Sequence, residues 1–212
     1  MNEQVIHYLL NILPATTSFV QQLEKEAKQN HVPIMEPLSM DFMLHILQLK
    51  KPKRILEIGA AIGYSALRMA EVAPDCEIIT IEKNEQRYQE AVMNIEKQGK
   101  SSTIDVILGD AIDKLNELQN DSFFDVIFID AAKGQYQKFF EQSVPLLARD
   151  GLIITDNVLF RGYVAQPELA PARFKNMVKK IHHYNEWLMH HPDFTTTIVP
   201  IGDGVAISLK KH

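Results

Sequence analysis

The chain reads as an α/β protein: a doubly wound, mostly parallel sheet with a C-terminal antiparallel hairpin and helices at the N-terminus. Three observations predict this. The runs RILEIG, EIITIE, TIDVILGD, DVIFIDA and GLIITDN are short, apolar and rich in Ile or Val, as buried strands are. Helical patterns lie between them, and near-continuous apolar strands alternating with helices imply a parallel sheet covered on both faces. The tail TTTIVPIGDGVAISLKK is two strands around a Gly-Asp-Gly turn, a hairpin signal that brings the strand count to seven.

The elements follow in order. Val5, Ile6, Leu9, Leu10, Ile12 and Leu13 form a helical stripe that Pro14 ends. Thr17 or Ser18 caps a second helix carrying Phe19, Val20 and Leu23. A third, about Ser39–Leu49, follows the extended VPIMEP segment. Between the strands, helices are predicted near Tyr64–Val72, Glu85–Gln98, Ala111–Glu117 and Gln135–Leu147, with Gly151 as the cap after the last. The loop LFRGYVAQPELAP then leads to a long helix, about Ala172–His190.

Composition excludes several classes. At 212 residues, one domain with an appendage is expected. Lys+Arg 22 against Asp+Glu 27 excludes a generally basic nucleic-acid coat protein, so any nucleic-acid contact must use a local patch. The single cysteine, Cys76, excludes an internal disulfide and a Cys-rich metal site. No apolar run approaches the roughly 20 residues of a membrane span. The first residues have no basic leader or small-residue cleavage site. A cytoplasmic protein is the expectation.

Candidate chemistry gathers at the ends of the strands. Glu57-Ile58-Gly59-Ala60-Ala61-Ile62-Gly63 follows one strand and opens a helix. Its G-x-x-x-G spacing departs from the G-x-G-x-x-G dinucleotide fingerprint, and an acid precedes the first glycine. A carboxylate there suits an ammonium group better than a phosphate; a plain tight turn is the alternative. Glu82 ends the second strand, where a carboxylate can accept both hydroxyls of a ribose or simply face solvent. Asp110-Ala111 ends the third, where an acceptor and a backbone N–H can read an adenine edge. As an ordered set they describe an adenosine ligand with an amino-acid head and no phosphate, S-adenosylmethionine, bound at the carboxyl edge of the sheet.

Asp130-Ala131-Ala132-Lys133 ends the fourth strand and Asp156-Asn157 the fifth. Adjacent strands lie about 4.8 Å apart, so these side chains can share one mouth. Two carboxylates and an amide oxygen are hard ligands suited to Mg²⁺. The alternative is that both aspartates are helix N-caps, and that Lys133 is a surface lysine at a helix start.

LEIGAAIGYSA, IITIE, GDA, FIDAAKGQY and ITDNVLFRG resemble the metal-dependent O-methyltransferases that include the catechol and caffeoyl-coenzyme A enzymes, over about Pro33 to the C-terminus. The resemblance implies a Rossmann-like methyltransferase domain over 51–212 and an N-terminal helical extension over 1–50, serving as cofactor lid and homodimer contact. It implies Asp130, Asp156 and Asn157 as ligands of a divalent metal. It implies Met35, Gly59, Ser65, Glu82, Asp110, Ala111 and Asp130 around S-adenosylmethionine, with Glu57 beside the first glycine. It also implies Lys133 as the base near the acceptor hydroxyl.

A metal that binds two neighbouring oxygens can serve a catechol or 5-hydroxyuridine, through O5 and O4. MEPLSM, FIDAAKGQY and DNVLFRGYV resemble the bacterial transfer-RNA 5-hydroxyuridine methyltransferases of this family, which implies wobble uridine in the tRNA anticodon loop as the substrate. Between Phe160 and His191, the basic residues Arg161, Arg173, Lys175, Lys179 and Lys180 outnumber the acids Glu168 and Glu186. They can meet phosphates, as can a second cluster of Lys50, Lys51, Lys53 and Arg54. Phe160, Tyr163 and Tyr184 can stack on a base, or serve the core with Phe174, Met177, Ile181, Trp187 and Leu188.

Overall fold

The computed structural model describes residues 3–118 and 123–211. Seven strands form one sheet in the order β3-β2-β1-β4-β5-β7-β6. They are β1 (Arg54–Ile58), β2 (Glu77–Glu82), β3 (Ile104–Leu108), β4 (Phe124–Ile129), β5 (Leu147–Thr155), β6 (Phe194–Val199) and β7 (Val205–Lys210). The first five pair in parallel, and β7 runs antiparallel to both β5 and β6. From β1 the chain steps outward to β3, then returns to β4 on the other side of β1. This reversal opens a crevice at the carboxyl ends of β1 and β4.

Strand parity builds two cores. Ile55, Val126, Phe128, Leu152 and Ile154 face one side; Leu56, Ile127, Ile129 and Ile153 face the other. Each such side chain contributes about 1.5–3 kcal/mol on burial. The first face is covered by α2 (Ser18–Gln29), α3 (Pro37–Lys50), α4 (Tyr64–Val72) and α5 (Glu85–Lys97). The second is covered by α6 (Ala111–Glu117), α7 (Tyr136–Ser143) and α8 (Lys175–Met189). Residues 1–50 therefore have no separate core, since α2 and α3 share that of the sheet. By contrast α1 (Glu3–Ile12) buries no residue. Among the described residues no helix is long and apolar enough to cross a membrane.

Local chemistry sets the boundaries. Thr17 caps α2 by accepting Val20 N–H, 3.3 Å. Pro37 takes the first turn of α3, where its missing N–H costs nothing. Two boundaries differ from the expectation. The helix before β5 stops at Ser143, because Pro145 cannot donate to the preceding turn. Strand β5 then starts at Leu147, so Gly151 lies inside it and caps nothing. The β4–β5 ladder pairs Phe124 with Leu147 and next Val126 with Leu152, so Ala148–Gly151 bulges. A Cβ on Gly151 would sit 2.6 Å from Leu147 Cδ1, which is why the bulge takes glycine. Likewise α8 begins at Lys175; Ala172–Phe174 is a 3₁₀ turn.

Candidate active site

The loop from β1 to α4 lies flat against the end of β4. At Gly59 φ is +106°, and a Cβ there would stand 2.1 Å from Asp130 O, so no other residue fits. Glu57 is fully buried beneath this loop. It pairs in register with Thr80, whose hydroxyl donates to Glu57 Oε2 at 2.5 Å, while Ser65 Oγ donates to Oε1. Burial nevertheless pushes the carboxyl up to about 7, against the pull of these two hydroxyls. Glu82 ties the loop from the neighbouring strand. Its Oε2 accepts Ala61 N–H at 2.9 Å and its Oε1 accepts Asn84 N–H at 2.8 Å. Each oxygen keeps a lone pair free to accept a further hydrogen bond.

A cavity of about 290 Å³ opens above this loop. It is lined by Met35, Gly59, Ser65, Glu82, Asp110, Ala111, Asp130 and Lys133, all expected from the sequence. Glu57 does not line it and meets it only through Ser65. Asp110 has a second task as the N-cap of α6, accepting Ile112 N–H at 2.9 Å. Pro33 and Ile34 join Met35 as an apolar wall supplied by the α2–α3 link. Sequence reasoning missed Tyr64, Arg87 and Phe139 in the lining. Tyr64 Oη donates to Glu24 Oε1 at 2.8 Å, tying α2 to the loop; only its place directly after Gly63 hinted at this.

Parity puts Asp130 and Asp156 on one face, each one step beyond the register pair Ile129–Thr155. Neither caps a helix. Asp156 is buried, and its Oδ1 has no partner among the described residues. Burial, reinforced by Asp130, holds the Asp156 carboxyl well above the usual range, with Asn157 N–H and Lys133 opposing. Burial also raises Asp130, and Lys133 opposes it. Lys133 Nζ donates to Asn157 Oδ1 and stands 6.0 Å from the centroid of the Phe160 ring. Tyr136 Oη donates to Asp156 O at 2.9 Å and holds that backbone from below. Among the described residues no group of three or more His, Cys, Asp or Glu side chains is placed to hold a metal. The two aspartates and Asn157 form a mixed carboxylate–amide set.

Lys133 also lines a second cavity of about 400 Å³. Gly134, Tyr136 and Gln137 form one wall; Asn176, Lys179, Lys180 and His183 of α8 form the other. The aromatic candidates divide differently from the stacking expectation. Phe160 and Tyr184 are buried, and Tyr184 Oη bonds Thr155 Oγ1 at 2.9 Å, so both pack in the core, Tyr184 also bordering the second cavity; Tyr163 is half-buried. The cluster Lys50–Arg54 lies at the opposite edge of the sheet, where β1 begins. There Lys50 Nζ donates to Asp150 O at 2.6 Å and Arg54 Nε to Glu77 Oε2 at 2.7 Å.

Comparison with known proteins agrees with this architecture. The profile of an O-methyltransferase family matches residues 13–211. A caffeoyl-CoA O-methyltransferase of Stellaria longipes is 30% identical over 96% of this chain and 89% of its own. A Staphylococcus aureus structure, provisionally described as a caffeoyl-CoA O-methyltransferase, superposes with a TM-score of 0.90 at 39% identity, covering 97% of this chain and 98% of that one. The O-methyltransferase of Bacillus cereus, solved in complex with SAH, superposes with a TM-score of 0.85 at 26% identity, covering 98% and 97%. The sheet order, the crevice at its switch point and the matched span lead to one assignment: the chain belongs to the O-methyltransferase family.

Proposed function

We propose that the protein is an S-adenosylmethionine-dependent, Mg²⁺-dependent O-methyltransferase acting on 5-hydroxyuridine in the anticodon loop of tRNA, as a homodimer. One observation carries the reading: Lys133 belongs at once to the nucleoside-sized cavity, to the Asp130–Asp156–Asn157 set and to the basic groove along α8.

The chain's groups fit the donor. Glu82 offers its spare lone pairs to ribose hydroxyls, and Asp110 with Ala111 N–H borders the adenine end. Ser65 and Asp130 would border the amino-acid end, and the apolar wall of Pro33, Ile34 and Met35 would shield the sulfonium from water. The SAH bound to the Bacillus cereus relative supports this choice. S-adenosylmethionine supplies the electrophilic methyl group.

The residues also fit a divalent cation. Asp156 Oδ1 is an acceptor without a partner among the described residues, which is costly unless a cation or donor meets it. Asp130, Asp156 and Asn157 would hold Mg²⁺, which supplies Lewis-acid stabilisation of an ionised acceptor oxygen. Lys133 Nζ, oriented by Asn157 Oδ1, is the group that receives the proton of the acceptor hydroxyl.

The groove supports an RNA acceptor. Lys179, Lys180 and His183 stand along one wall, basic groups that can meet phosphates beside a target nucleotide. A free catechol needs no such wall. A small-molecule acceptor of the catechol type is the second reading, favoured by the identity to the Stellaria longipes enzyme.

A paired assay decides between them: labelled S-adenosylmethionine with tRNA carrying 5-hydroxyuridine, or with caffeate, each with and without Mg²⁺. Mg²⁺-dependent label in tRNA with weak caffeate turnover is expected. Label confined to caffeate would overturn the RNA acceptor, and turnover indifferent to Mg²⁺ would overturn the metal.

A further inference from the structure

The segment following β5 is held in an uncommon backbone. Asn157, Phe160 and Arg161 have φ of +57°, +36° and +56°. Non-glycine residues rarely adopt such values singly, and three within five positions persist only where surrounding structure imposes them. The imposing element is the β6–β7 turn. Four consecutive amides of the segment donate to it: Val158 N–H to Gly204 O at 3.0 Å, Leu159 and Phe160 N–H to Asp203 O at 2.8 and 3.0 Å, and Arg161 N–H to Asp203 Oδ1 at 3.0 Å. The turn is itself anchored to α3, where Ser39 Oγ donates to Ile201 O at 3.2 Å. Three of the four bonds use main-chain carbonyls, which any residue would supply. The fourth, at the end of the strained stretch, needs the side chain.

We infer that Asp203 is a positioning residue for the acceptor half of the site: its carboxylate clamps the Arg161 amide and thereby fixes the loop that presents Asn157 and Phe160 to Lys133. Asp203 lies 46 positions from Asn157 in sequence and lines neither cavity. Its hydrogen bond reaches the site through the loop, and its charge also bears on the Asp156 carboxyl. Of the cofactor cavity's lining, Gly59, Ser65, Glu82 and Asp110 lie outside the clamp's hydrogen bonds and only Asp130 and Lys133 are shared with the acceptor half, so turnover should respond far more than donor affinity. The clamp itself needs an acceptor oxygen and not a charge, since its partner is a neutral N–H, and asparagine separates the two by removing only the charge. Asparagine keeps such an oxygen and alanine does not.

The inference rests on the methyl-transfer reading for its kinetic arm, and the test separates the two. Steady-state turnover, binding of S-adenosylhomocysteine and amide hydrogen exchange across residues 157–162 are measured for the wild type, Asp203→Ala and Asp203→Asn. Asp203→Ala is expected to lose protection at the Arg161 amide, and its kcat should fall about tenfold to a hundredfold, as small misplacements of reacting groups do. Its affinity for S-adenosylhomocysteine should stay unchanged, and Asp203→Asn should restore both protection and kcat. If Asp203→Ala fails to fold, Asp203→Glu, which keeps the charge but displaces the oxygen by a methylene, should show the same kcat defect in a folded protein. Unchanged kcat in Asp203→Ala, loss of donor affinity in step with kcat, or failure of Asp203→Asn to rescue would each overturn the clamp. If the wild type turns over neither acceptor, the functional reading has failed, and the exchange arm still judges the clamp.

Discussion

Glu57 is a carboxylate surrounded by hydroxyls and apolar side chains, with no cation among its hydrogen-bond partners. Its pKa rises on folding from the ordinary 4.5 to about 7, with burial as the largest cause. The folded state therefore holds a proton that the unfolded state has released, so stability declines as pH rises between these two values. Asp130 and Asp156, also raised by burial, act with the same sign. Glu57→Gln keeps the shape and cannot ionise. We expect it to flatten the fall in melting temperature between about pH 5 and pH 7. Thermal scans across that window check it; an unaltered slope would place the titration elsewhere. Asp156→Ala tests the acceptor side. It should abolish methyl transfer, leave S-adenosylmethionine binding intact by calorimetry, and leave the melting temperature equal or higher, because a buried carboxyl oxygen without a partner among the described residues is removed. Loss of donor affinity in this variant would take Asp156 out of the acceptor half. At this scale the sequence was informative about residue type and strand-end position. It was silent on orientation, so Glu57, next in sequence to the cavity residue Ile58, lies outside the lining and bonds one lining residue, Ser65.

Helix α8 separates two functions by face. Val178, Ile181, Asn185 and Leu188 are buried, Asn176, Lys179, Lys180 and His183 line the groove, and the buried Tyr184 borders both. Reversing Lys179 and Lys180 to Glu together should weaken tRNA binding. The salt slope of log affinity should fall by about 1.4–1.8, at roughly 0.7–0.9 for each phosphate no longer neutralised. Both residues are exposed, so stability should shift by no more than about 0.5 kcal/mol per site. Filter binding over a salt series checks this, and an unchanged slope would make the groove an ordinary solvated face. The apolar stripe of α8 was legible as period 3.6. The groove was not, because its other wall, Gly134–Gln137, lies some forty residues earlier and meets α8 only across the sheet's second layer.

For the whole molecule, α1 is the element that its own chain does not cover. Ile6, Leu9 and Leu13 are half-buried, but Val5, Tyr8 and Ile12 form an opposite stripe that is 44%, 63% and 58% exposed. Removing such area from water is worth about 25 cal/mol per Å². A second copy is the occupant we propose. Tyr8→Glu with Ile12→Glu should convert a dimer to a monomer in sedimentation velocity, with the fold retained because neither residue touches the core. A dimer that survives the double substitution would assign its interface to another surface.

Local sequence patterns were enough to place the strands, their parallel orientation, the hairpin and the strand-end positions of Glu82, Asp110, Asp130 and Asp156, while the order of the strands came from the fold. These follow from local periodicity and from the rule that a parallel sheet needs cover on both faces. The tertiary structure alone decided what each side chain meets. Strand parity and register turned Glu57 under α4 toward Thr80 and left Asp156 Oδ1 without a partner among the described residues. Core packing buried Phe160 and Tyr184, which periodicity alone left open between core and groove. The turn at Asp203 reached the loop after Asn157 through β5–β7 pairing, a contact between segments far apart in the chain that no local pattern encodes.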